Sequence, residues 1–143
     1  MRRILFGSVC LLALSGILAA QSSVPLVADI SFPFFVGDHQ FPAGEYRFLR
    51  EGVSGLVLVV PKELGCSPAF IMALSADAVV KPKGNFVVFT KYANDKYFLR
   101  QIVHAGEITA SQTYKSRTER ESVTSTLKAS NYPERVVILA RVR

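Results

Sequence analysis

The chain has 143 residues, half of them hydrophobic, and its 17 Lys and Arg against 11 Asp and Glu give a net charge of +6. Two cysteines, Cys10 and Cys66, and two widely separated histidines, His39 and His104, exclude a disulfide framework and a His/Cys zinc cluster. The basic excess suits an anionic surface such as envelope polymer or lipid headgroup, and it is equally ordinary for a soluble domain.

At the N-terminus, Arg2 and Arg3 lead into an apolar run from Ile4 to Leu18, followed by Ala19 and Ala20. That order reads as a secretory signal peptide over residues 1–20. The run is shorter than the roughly 20 residues a membrane span requires. Cleavage after Ala20 places Leu18 in the third-last position, whereas cleavage after Ser22 places Ala20 there. Cys10 lies inside the apolar run, which argues against a lipoprotein. Processing after Ala20 leaves 123 of the 143 residues, a single β-rich domain over 21–143 without a transmembrane span. Losing Arg2 and Arg3 lowers the net charge from +6 to +4. Cys66 is then the lone thiol, read as a partly buried, inert one; an interchain bond is its other use in an oxidising compartment. The expected location is periplasmic or extracellular.

The first predicted strand is "ADISFPFFV", in which Ala28, Ile30, Phe32, Phe34 and Val36 share a face. Pro33 cannot donate to a ladder, so an edge or a bulge is expected there. "GDHQ" turns the chain, with Asp38 supporting the turn through its side chain. "FPAGEYRF" then enters a second strand: Pro42 fixes the backbone, Gly44 frees a turn, and Tyr46 and Phe48 point inward. After "GVSG" comes "LVLVV", five apolar residues that imply a strand covered on both sides and ended by Pro61. "AFIMAL" (69–74) has the same character. "NFVVFTKY" and "KYFLRQIVHA" form a hairpin around Asn94 and Asp95, residues that tolerate left-handed backbone. The last strand is "RVVILARVR", with Val136, Ile138, Ala140 and Val142 on one face. The fold class is all-β and mainly antiparallel, a sandwich or barrel of about seven strands.

One polar segment breaks the pattern. In "YKSRTERESVTSTLK", Ser116 and Glu119 have the spacing of a capping box, and Lys128 complements the far end of the helix dipole. A short helix near residues 116–127 is expected to lie on the sheet by a thin stripe, Val123 with Leu127.

These motifs in combination, "FPFFVGDHQFPAGEYRF", "VVFTKYANDKYFLRQIVHAGE" and "SRTERE", resemble a family of small exported β-rich proteins of acidobacterial genomes. The resemblance runs from about Ala28 to the C-terminus. The chain departs from the family pattern in "YANDKYF", which lacks the Gly usual after the Tyr, and at Val103 or His104, where an aromatic is frequent. The resemblance implies an exported single domain and carries over no catalytic residue.

Catalytic spacing is sparse. There is no HExxH, no Gly-rich phosphate loop, and no GxSxG, since "GVSGL" reads as a hairpin turn around Ser54. His104 is the best candidate for proton chemistry, at a strand end beside Gly106 and Glu107. A lone histidine in that position is more often a surface or hydrogen-bonded residue. Aromatic residues on the strands are interleaved with Arg47, Arg50 and Arg100, an arrangement able to stack sugars or bases. A chain without Trp must also build its core from Phe and Tyr, so the core reading carries more weight. Tyr46, Tyr92 and Tyr97, with Arg100 and His104, are the candidate ligand-binding residues. Lys115, Arg117 and Arg120 can meet phosphate or acidic polymer, but Glu119 and Glu121 nearly cancel them.

These observations make the expected function a non-catalytic binding or structural one at the cell envelope. No metal or cofactor is implied, and the ligand class is apolar, carbohydrate-like or anionic envelope polymer. An exported address argues against nucleic acid. Two alternatives stand: a small enzyme using His104 with Glu107 or Asp38, and assembly through "RVVILARVR" as an exposed edge strand.

Overall fold

In a computed structural model of the protein, residues 24–51, 55–81 and 83–143 are described. The expected signal peptide with its expected cleavage positions, and Cys10, lie outside the described residues, as does the Gly52–Ser54 part of the "GVSG" turn. The described chain forms β1 (Leu26–Ile30), β2 (Phe34–Val36), β3 (His39–Phe41), β4 (Gly44–Glu51), β5 (Leu56–Pro61), β6 (Ala69–Asp77), β7 (Asn85–Lys91), β8 (Tyr97–Val103), β9 (Thr109–Thr113), α1 (Arg117–Lys128) and β10 (Glu134–Val142). Among the described residues no helix is long and apolar enough to cross a membrane.

Eight strands close a barrel in the order β8-β7-β10-β1-β4-β5-β6-β9, with β9 returning to β8. All of these neighbours are antiparallel. The sequence left sandwich and barrel open; the pairing of Gln101 with Gln112 and Ile102 with Ser111 closes the ring. β2 adds a parallel pair at the other end of β8, Phe34 with Tyr97 and Phe35 with Phe98. β3 pairs with β2 across a tight turn at Gly37, whose φ of +63° suits glycine.

The strand count rises from seven to ten for local reasons. The Phe-rich segment is two strands, because the chain leaves β1 after Ile30 and rejoins a different neighbour after Pro33. Its inward face survives the break: Ala28, Ile30, Phe34 and Val36 are buried in one cluster, with Phe32 packed against it. β3 and β9 are the strands the apolar pattern does not announce. The hairpin at Asn94 and Asp95 forms as expected, with Asp95 at φ +54°.

Two strands depart from expectation in their outer faces. β5 alternates, with Val57 and Val59 buried and Leu56, Leu58 and Val60 half-buried. In β6, Phe70 is 64% exposed and Met72 56%, so neither strand is covered on both sides. Strand β10 pairs with β7 over Glu134–Ala140 and with β1 at Arg141 and Val142, so it is an internal stave of the barrel. On its inner face Ala140 is buried, Val136 and Ile138 are half-buried, and Val142 is exposed.

An aromatic cluster fills the barrel end beneath β2. Phe34 meets Tyr46 and Phe89 edge-on, at 4.9 and 5.2 Å between ring centroids, and stacks on Phe41 at 5.6 Å. Phe32 stacks on Tyr97 at 4.1 Å. Each fully buried Phe contributes about 2–3 kcal/mol, and each aromatic pair adds about 0.5–1.5 kcal/mol.

A bulge in β8 keeps its polar residues out of this core. Phe89 faces Leu99 while Val88 faces Gln101, so Arg100 has no opposite number on β7. Leu99 and Ile102 therefore both reach the interior, three positions apart. Gln101 turns outward, fully buried beneath the segment after β6. There its Oε1 accepts from the Val79 amide at 3.0 Å, and its Nε2 donates to the Asp77 carbonyl and to Gln112 Oε1.

Candidate functional site

The five candidate residues do not meet in one place. Tyr46 is inside the barrel, 2% exposed, and its hydroxyl donates to the Pro42 carbonyl at 2.7 Å. Burial pushes its pKa up to about 12, with the charges of Cys66 and Glu63 adding to the effect. Its hydroxyl thus has a partner within its own strand entry. Tyr97 is half-buried against Phe32, at the start of β8, whereas His104 follows the end of that strand. Seven strand residues, roughly 20 Å, separate those two ends.

Tyr92 and Arg100 belong to the junction between barrel and helix. The Tyr92 hydroxyl donates to Glu119 Oε1 at 2.8 Å, and Glu119 is 2% exposed. Around it Ala93 N–H donates to Thr126 Oγ1 at 3.0 Å, and Asn94 Nδ2 donates to Ser122 Oγ at 3.1 Å. The buried helix face is Glu119, Ser122 and Thr126, whereas Leu127 is 65% exposed. The expected Val123–Leu127 stripe is therefore not the packing face. Turn residues of the β7–β8 hairpin offer the helix polar groups, so a polar face complements them. Burial raises the pKa of Glu119; Tyr92, Arg100, Lys115 and the Ser116 backbone amide pull against it. Arg100 is tied to the wall by donation from Nη1 to the Thr113 carbonyl at 3.0 Å.

The helix start is capped twice. Ser116 Oγ accepts from the Glu119 amide at 3.1 Å, as the capping-box spacing predicts. Asp38, on the β2–β3 turn, accepts from the Thr118 amide at 3.0 Å, which holds its carboxyl below the usual range. Asp38 thus serves the helix N-terminus and is not brought to His104 as a proton partner.

His104 lies at the rim where β8 ends, and neither of its ring nitrogens has a hydrogen-bond partner. Burial lowers its pKa, Arg50 lowers it further, and Glu107 opposes both. Glu107 is close enough to act on His104 electrostatically, but both its oxygens are occupied. Arg50 Nη1 and Nη2 grip Oε2 and Oε1, each at 2.9 Å. The carboxylate or hydroxyl within hydrogen-bond reach that the proton-transfer reading of His104 requires is not beside it in this arrangement.

Two features escaped the sequence pattern. The outer wall of β5 and β6 is apolar in register, Leu58 opposite Phe70 and Leu56 opposite Met72, and Leu49 of β4 joins it opposite Leu58 between the charged Arg47 and Glu51. The other feature is a cleft of about 390 Å³ between β3 and the start of β6, lined by His39, Gln40, Phe41 and Pro42 on one side and Cys66–Phe70 on the other. Pro42 and Pro68 were the available signals, since each marks where a strand stops or starts without a donor. Among the described residues no group of three or more His, Cys, Asp and Glu side chains could hold a metal ion. Compared with known proteins, the chain matches no family model, no curated protein and no solved structure.

Proposed function

We propose that the chain is an exported, non-catalytic domain of the cell envelope that binds or makes structural contacts through its outer surface. The address rests on Arg2, Arg3, the Ile4–Leu18 run and the small residues after it, read as a signal peptide. The resemblance to small exported acidobacterial proteins supports the same address.

The observation that carries the reading is the contrast between inside and outside. Tyr46, Phe34, Phe48 and Phe89 are among the largest fully buried side chains, and an eight-stranded barrel is just wide enough for such side chains to fill. An apolar or carbohydrate-like ligand is therefore met at the wall or rim. The β4–β6 wall and the β3–β6 cleft both supply apolar surface there. Among charged partners, the basic excess favours an anionic polymer.

The test is expression of the full chain in a bacterial host with two membranes, followed by fractionation and mass measurement. A new N-terminus at Gln21 or Ser23, outside the cytoplasm, is expected, and an intact Met1 in the cytoplasm overturns the address. The processed protein is then passed over isolated envelope. Retention is expected, and free passage overturns the binding reading.

A further inference from the structure

The barrel wall has a gap with a strand edge on each side. At one end of β8 the neighbour is β9, and at the other it is β2. β9 pairs with β6 only over Ala73–Asp77, so the edge of Ala69–Met72 that continues this line has no strand beside it among the described residues. β3 pairs with β2 alone, which leaves its second edge open as well. Both open edges border the same 390 Å³ cleft. Outside the cleft lining, the β2–β3 turn comes near β6: a Cβ on Gly37 would lie 3.8 Å from Ile71 Cδ1. β3 and β6 thus flank the gap while making no ladder to one another.

We infer that this cleft takes a short extended peptide segment of another protein by strand addition. The inference rests on the reading of the chain as a binding domain and names the ligand class. Unpaired strand N–H and C=O groups are complementary above all to another extended backbone. Counting around the ring, β3 and β6 run antiparallel to each other, so an inserted strand is antiparallel to one edge and parallel to the other. Pro42 closes the β3 edge and Pro68 the β6 edge, which limits pairing to about three residues of the guest. Pro42, Pro68 and Phe70 supply the apolar part of the walls beside His39, Gln40, Cys66 and Ser67, and the lining holds no Asp, Glu, Lys or Arg. The guest is therefore uncharged over this stretch and carries an apolar or aromatic side chain.

The probe is a panel of blocked hexapeptides of alternating threonine and valine, with phenylalanine, tyrosine, leucine or isoleucine at the third position. Amide chemical shifts of the full processed protein are followed by NMR. At least one peptide is expected to bind with half-saturation below about 1 mM, a modest affinity for so few main-chain bonds. Its shifts are expected to centre on His39–Phe41 and Ala69–Phe70. N-methylation of alternate peptide amides removes donors and keeps every side chain, so it is expected to weaken binding at least about tenfold. Absence of binding across the panel, equal binding of the methylated peptide, or shifts confined to the β4–β5 wall each overturns the inference. Envelope retention is scored separately: retention with an inert cleft overturns strand addition alone, whereas free passage overturns the binding reading itself.

Discussion

The hydroxyl of Tyr92 donates to the carboxylate of Glu119 at 2.8 Å, joining the end of β7 to the first turn of the helix inside an otherwise closed interface. Tyr92→Phe removes the donor and leaves a buried carboxylate oxygen short of a partner, at a cost of about 1–3 kcal/mol. Glu119→Gln keeps an acceptor for the hydroxyl and discards the buried charge, so it is nearly neutral or stabilising at pH 7. Burial raises the folded-state pKa of Glu119 above its ordinary 4.5. The associated stability is complete below that value and is lost as pH rises through the folded pKa. Urea unfolding from pH 4 to 8 is expected to show that loss in the native protein and not in Glu119→Gln. Parallel profiles would remove the argument.

The inner face of the barrel was legible because burial there is apolar and has period two. Tyr46 and Phe48, and the series Ala28 to Val36, are inward as the alternation predicts, even across the break at Pro33. What the pattern could not carry was polar burial. β9 reads "TASQT", yet Ala110, Ser111 and Thr113 are buried, Thr113 through a 2.6 Å bond to the Leu99 carbonyl. The helix face reversed for the same reason, since Glu119, Ser122 and Thr126 are chosen by hydrogen-bond partners that only the folded hairpin supplies. The cleft was illegible because it depends on pairing between distant strands: β9 covers β6 only over Ala73–Asp77, and β3 pairs with β2 alone.

His104 makes the opposite prediction about acid. Burial and Arg50 hold its folded pKa below the ordinary 6.5, with Glu107 opposing. Its stability contribution is therefore complete above about pH 6.5 and is lost as pH falls through the folded value. Glu107, held low by Arg50, adds its own loss only below its ordinary 4.5. His104→Leu removes two buried nitrogens without partners. Between pH 8 and pH 5 it is expected to lose less stability than the native protein, because it has no imidazole to charge on burial. Urea midpoints at the two pH values decide it, and an unchanged difference would count against the burial argument.

Gly55, which leads into β5, is poorly replaceable. It sits at φ +68°, and a Cβ there would lie 2.3 Å from the Ala73 carbonyl oxygen, a backbone atom that cannot rotate away. Its own carbonyl accepts from the Ala73 amide at 2.6 Å, so Gly55 cannot retreat from Ala73 without breaking that bond. Gly55→Ala is expected to cost about 2 kcal/mol or more, well outside the range of ordinary surface changes. Thermal unfolding of the purified variant measures it; a change within about 0.5 kcal/mol would mean that the turn rearranges freely.

Gln101 shows why adding apolar character to this barrel need not stabilise it. The bulge at Arg100 turns the side chain out of the core and under the segment after β6, where its amide meets Val79, Asp77 and Gln112. Gln101→Leu has similar volume and is favoured by transfer from water, yet it leaves the Val79 amide, the Asp77 carbonyl and the Gln112 side chain without these bonds. Each group so abandoned costs up to about 1–3 kcal/mol, less where water reaches it as at the exposed Asp77 and Val79, against a gain of about 1.5–3 kcal/mol for the buried leucine. No net gain in stability is expected, with faster amide exchange at Val79 and little change at Val87 and Phe89 on the inner face. Uniformly faster exchange would instead place Gln101 in the main core, and unchanged stability would mean that water replaces the amide.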